Sequence, residues 1–109
     1  MGVPQCVAVV DAGGHLLAFG RSDGAQIACI SIAITKATSA ATRKRATGDE
    51  GGGDMIATIR SALAADRMTG IGGGIPLLDG GQVVGAVGVS SGTIDQDTAV
   101  ARAGVAALA

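Results

Sequence analysis

The sequence predicts an α+β fold, an antiparallel sheet layered by helices, with the element order β-β-α-α-β-β-α. Two observations carry that prediction. First, the run from Gly72 to Gly92 reads as a glycine loop, a strand, a tight Asp79-Gly80-Gly81 turn, a second strand and a Ser-Ser-Gly loop. Apolar runs separated by Asp-Gly or Gly-Gly are the strongest short-range signal for a β-hairpin. Second, an imperfect copy lies near the N-terminus. Val9 to Ala18 aligns with Leu77 to Ala86 with one gap, and the hairpins end in similar loops, Ser22-Asp23-Gly24 and Ser90-Ser91-Gly92. A hairpin-then-helix unit therefore occurs twice.

In chain order, residues 6–10 and 15–21 are apolar and β-branched enough for strands, with Asp11-Ala12-Gly13-Gly14 as their turn. Residues 25–43 follow as a helix with Asp23 as the expected cap. Ile27, Ile30, Ile34, Ala37 and Ala41 recur at helical spacing and form the expected buried stripe. Arg43, Lys44 and Arg45 close this helix, where cations complement its negative end. Residues 47–53 read as a loop, and residues 55–65 as a second helix capped by Asp54, with Ile56, Ile59 and Leu63 inward. The last helix covers residues 94–108. Thr93 and Gln96 have capping-box spacing, and Asp95 and Asp97 suit the positive helix end.

At 109 residues the chain is expected to be a single domain over residues 1–109, with one modest core. The net charge is −1 and a lone Phe is the only aromatic residue, so nucleic acid is not an expected partner. No apolar run approaches the roughly 18 residues that a membrane span needs. The N-terminus also lacks the charged-then-apolar pattern of a secretory signal, so a cytoplasmic location is expected. Cys6 and Cys29 lie in apolar segments and read as buried free thiols. One His and two distant cysteines show no metal-ligand spacing, so no metal site is expected. With 48% hydrophobic residues, the chain has more apolar surface than a small core hides, and a homo-oligomer is the natural way to bury the surplus.

Three segments carry a family resemblance: Val7 to Phe19 (VAVVDAGGHLLAF), Arg21 to Ala25 (RSDGA) and the tract from Gly72 to Asp97, which contains GGGIP and GVSSGTIDQD. Together they resemble the GlcG/HbpS family, also called the haem-degrading or DUF336 family, which includes the C-terminal domain of PduO-type proteins. The resemblance covers nearly the whole chain. It implies a profilin-like α/β/α layering around an antiparallel sheet, assembly as homo-oligomers, and haem as the one cofactor put forward, since some members bind haem or respond to it. Members usually carry a helix before the first strand, whereas this sequence starts almost at that strand. Where members commonly read AAAFGRPT after the long helix, Ala40 to Thr47 here reads AATRKRAT.

His15 is the only imidazole. With an ordinary pKa of about 6.5 it suits a general acid, a general base or an axial ligand, or it is simply a turn histidine. Asp11, across the same turn, either orients His15 or bonds its own backbone. Lys36 sits in the middle of an apolar helix, so it either snorkels to water or is paired in a pocket, where it would serve as base or anchor. Arg21, Asp23 and Gly24 form one strand-to-helix loop, in which Arg21 suits a carboxylate and nearby amides suit the same anion. Ser90, Ser91 and Gly92 form the equivalent loop of the second unit; both loops either share an acidic small molecule or merely cap helices. Gly73 and Gly74 precede a strand and lack the lysine of a phosphate loop, so they read as permitting close backbone approach to a ligand or subunit.

Two functions fit this reading. One is a small-molecule-binding protein of the GlcG/HbpS type, with haem or a related cofactor as ligand. The other is a small cofactor-free enzyme of the isomerase, lyase or hydrolase type, moving protons on a carboxylated or carbonyl metabolite with His15, Lys36 and Asp11 as catalytic groups.

Overall fold

Both expected hairpins form, each around its glycine turn. In the computed structural model, which describes residues 2–48 and 69–108, the first hairpin pairs β1 (Cys6–Asp11) with β2 (Leu16–Arg21). The second pairs β3 (Gly74–Asp79) with β4 (Gln82–Ser90). Strands β1 and β4 then join antiparallel, Cys6 opposite Ser90 and Asp11 opposite Gly85, giving one four-stranded sheet in the order β2-β1-β4-β3. The helices are α1 (Cys29–Arg43) and α2 (Ile94–Leu108). The described elements thus run β-β-α-β-β-α, and the expected helix at residues 55–65 lies outside the described residues.

Strand alternation sends successive side chains to opposite faces, and each face receives one helix. Cys6, Ala8, Val10 and Ala86 share a core with Cys29, Ala33, Ala37, Ala40 and Ala41 of α1. Val87, Val89 and Ile75 pack with Ala101 of α2, and Val7 and Val9 border that second core. The result is the layered α+β architecture, with a helix on either side of the sheet. The first core is built mainly from alanine, which lets α1 lie close to β4, where Gly88 sits against Ala33 and Ala37.

Four expectations about α1 and the cysteines are corrected. Helix α1 starts at Cys29 rather than residue 25, after a run of turns in which the amides of Ala25, Cys29 and Ile30 each bond a carbonyl three residues back. Its N-cap position is Ala28 with no side-chain cap, and Asp23 is exposed. The start is fixed covalently instead: Cys6 and Cys29 form a disulfide across a Cα–Cα distance of 5.9 Å, so they are not free thiols. The bridge counts against the expected cytoplasmic location, because disulfides persist mainly in oxidising compartments. The buried stripe is also rotated. Cys29, Ala33, Lys36, Ala37, Ala40 and Ala41 face inward, Ile30 and Ile34 are half-buried, and Ile27 is 79% exposed. The smallest side chains win the interior because only they allow the helix to approach the sheet.

Helix α2 begins as expected. The Gln96 amide donates to Thr93 Oγ1 at 3.1 Å and Gln96 Oε1 accepts from the Thr93 amide at 2.9 Å, a reciprocal capping box.

Candidate functional site

The turn of the first hairpin builds one candidate site. Asp11 Oδ1 accepts the backbone amides of Gly13 and His15, each at 2.9 Å, and lies 3.4 Å from His15 Nδ1. The hydrogen bond from the His15 backbone N–H, helped by that of Gly13, holds the Asp11 carboxyl below its usual range against the opposing effect of desolvation. Asp11 therefore bonds its own turn and stands beside the imidazole with the same oxygen. Gly14 has a φ of +85°, and a Cβ there would lie 2.9 Å from Thr38 Cγ2, so glycine lets the turn settle on α1. Thr38 Oγ1 then donates to the Gly14 carbonyl at 3.1 Å.

This contact leaves an open cleft of about 410 Å³ between turn and helix, lined by Gly13, Gly14, His15, Leu16, Ile34, Thr35 and Thr38. Its volume lies within the range of small-molecule sites. His15 stands at the mouth with its side chain 83% exposed, and begins one residue before β2 rather than inside it. Nδ1 is the nitrogen nearer Asp11, which leaves Nε2 as the one Asp11 does not engage.

The opposite end of β1 holds a second constellation, closed and polar. Cys6 lies between Arg21 and Ser90, so the two strand-to-helix loops flank the start of β1, one strand to either side. Gln5 joins them. Its backbone amide donates to Ser22 Oγ at 2.7 Å, its carbonyl accepts from the Ser22 amide, and its Nε2 donates to Asp97 Oδ1 at 3.0 Å. Asp97 Oδ1 also accepts the Gly92 amide at 2.9 Å, while Oδ2 lies 3.2 Å from Lys36 Nζ. Lys36 Nζ donates to the Val89 carbonyl at 2.8 Å, where β4 has run past the first residue of β3. Lys36 is thus buried and paired, at 2% side-chain exposure, and reaches from α1 to the helix on the other face.

Gly73 makes room for it. Its φ is +126°, and a Cβ would stand 3.0 Å from Lys36 Nζ and 2.7 Å from the Val89 carbonyl. Gly74 opens β3 and exchanges hydrogen bonds with Thr47. Ser90 is buried at the end of β4, Ser91 adopts a φ of 90°, and Gly92 is held by Asp97. Arg21 Nη1 donates to the Ala25 carbonyl at 3.3 Å, while Asp23 and Gly24 are exposed. Gln5 is the member of this network that the sequence did not mark, and Asp97 was marked only as complementing its helix end; a lysine in an apolar helix and an acid in a first helical turn were the available signal.

The structure does not gather His15, Asp11 and Lys36 into one site. Helix geometry places Lys36 about 150° around α1 from the Ile34, Thr35 and Thr38 face that borders the cleft. Among the described residues no cluster of three His, Cys, Asp or Glu side chains suits a metal ion, and no helix is long and apolar enough to cross a membrane.

Comparison with known proteins places this geometry. A family model described as haem degrading protein HbpS-like matches residues 1–106. Protein GlcG of Escherichia coli is 42% identical over 85 residues, and the match spans 77% of this chain but only 62% of GlcG. The crystal structure of Klebsiella pneumoniae protein ORFY superposes with a TM-score of 0.86 at 33% identity, covering 96% of this chain and 74% of that one. The crystal structure of a PduOC:heme complex gives a TM-score of 0.85 at 28% identity, covering 96% and 78%. Matched over nearly its full length and sharing the fold of solved relatives, the chain belongs to the HbpS-like family.

Proposed function

We propose that the chain is a small-molecule-binding protein whose ligand, haem or a related flat cofactor, occupies the cleft beside the first turn with His15 as its ligating side chain. One observation carries the reading: the sole imidazole of the sequence stands at the mouth of a cleft of about 410 Å³, steadied by Asp11 on Nδ1. Haem requires an apolar slot and a nitrogen donor, and the presence of Leu16 and Ile34 in the cleft beside His15 supports the reading. Bound haem would supply axial-ligand and redox chemistry at its iron. A relative of the same fold has been crystallised as a haem complex, which supports the choice of ligand.

Titration of the purified chain with haem, followed by the Soret band, tests this. We expect saturable binding, with His15→Ala weakening it at least tenfold and shifting the band, since an iron–imidazole bond is lost. Equal binding and an unchanged spectrum in the variant would overturn the assignment.

A further inference from the structure

Among the described residues only two that are not glycine hold a positive φ, Lys44 and Ser91. Ser91 belongs to the loop already described, anchored through the Gly92 amide to Asp97. Lys44 follows the last residue of α1 with φ 63° and ψ 32°, the left-handed conformation that ends many helices. Glycine is the ordinary occupant of that position, because a Cβ there crowds the neighbouring backbone. Lysine costs backbone energy without serving the helix, since Arg43 already brings a cation to the last turn. Strained positions of this kind concentrate where a side chain serves a ligand.

The side chain has such a setting. Lys44 lines an open cleft of about 530 Å³ with Leu78, Gly81, Gln82 and Val83, where the end of α1 meets the second hairpin. The cleft is larger than the one beside His15 and shares no lining residue with it. Leu78 and Val83 are paired across the hairpin, so their side chains lie on one face, and Leu78 is 54% exposed there. Asp79, the next residue, is turned to the other face by strand alternation and does not line the cleft. Among the described residues no acid lies within ion-pair distance of the Lys44 ammonium. A cation without a counter-ion thus stands beside an apolar wall, and Gln82 adds donors and acceptors.

We propose that this cleft is a second ligand site, which takes a small organic carboxylate with its anionic head on Lys44 Nζ and its alkyl arm along Leu78 and Val83. A lone ammonium is a compact point charge that matches a single negative charge. Inorganic phosphate would leave a more highly charged, fully hydrated ion against the apolar wall, which is costly to desolvate. Neither the ligand nor the residues are those of the His15 cleft.

Amide chemical shifts of the isotope-labelled chain, titrated with hexanoate, test the site, with sodium chloride at equal ionic strength as the control. Saturable shifts are expected at Lys44 and residues 78–83, with the amides of residues 13–16 unmoved. Lys44→Gly separates binding from folding: it removes the left-handed lysine, so the urea midpoint is expected to hold or rise while hexanoate affinity falls by about tenfold. Leu78→Ser, at an exposed position, is expected to weaken hexanoate and leave formate, which has no arm, unchanged. The proposal is overturned by shifts no greater than those with sodium chloride, by equal hexanoate affinity in Lys44→Gly, or by inorganic phosphate binding there more tightly than hexanoate. A fall in the urea midpoint of Lys44→Gly would overturn it too, because the lysine would then be serving the helix.

Discussion

Lys36 is held by two acceptors, the Asp97 carboxylate and the Val89 carbonyl, at a depth where water contributes little. A charge in such a place is costly once its partner is gone, although the pair itself adds little against an apolar substitute. Lys36→Met leaves Asp97 with only Gln5 Nε2 and the Gly92 amide for its negative charge. We expect this substitution to lower the unfolding free energy by about 3–5 kcal/mol in urea denaturation, with the double variant Lys36→Met, Asp97→Leu recovering part of the loss. That is a large fraction of the stability of a small domain. His15 stands in the contrary situation. Its side chain is mostly in water, which makes it available to a ligand and nearly irrelevant to the core.

At the scale of elements, the hairpins and α2 were legible because their signals are local. Asp79-Gly80-Gly81 and Asp11 to Gly14 set turns by themselves, and Thr93 with Gln96 marks a helix start within four residues. Thr93→Ala removes one half of the capping box and should cost about 0.5–2 kcal/mol, read from the denaturation midpoint, with fraying confined to the first turn of α2 by hydrogen exchange. The start of α1 was not legible, because a disulfide to a strand 23 residues earlier and a set of turns decide it, and Asp23 is left outside. Its buried face was misread for a related reason. Periodicity marks isoleucines and alanines equally as apolar, whereas the distance allowed by Gly88 on β4 selects the alanines. The candidate site was half legible: His15 and Asp11 do share the first turn, but the wall supplied by Thr35 and Thr38 comes from packing between elements that no local pattern encodes.

For the whole molecule, the Cys6–Cys29 bridge closes a loop that contains the entire first hairpin. Restricting the unfolded chain over that span is worth about 3 kcal/mol in the chain-entropy account. Reduction, or replacement of both cysteines by alanine, should lower the urea midpoint accordingly and speed exchange of the first amides of α1, while β3 and β4 are affected only through global unfolding. The ion pair at the far end of β1 acts on cooperativity in a different way. Helices α1 and α2 lie on opposite faces of the sheet, yet each contributes one member of the same buried pair. Neither layer can peel away and leave the other intact, because departure of either strands an uncompensated charge in the part that stays. The domain should therefore come apart in a single step, with no half-open species that keeps one helix docked on a bare sheet.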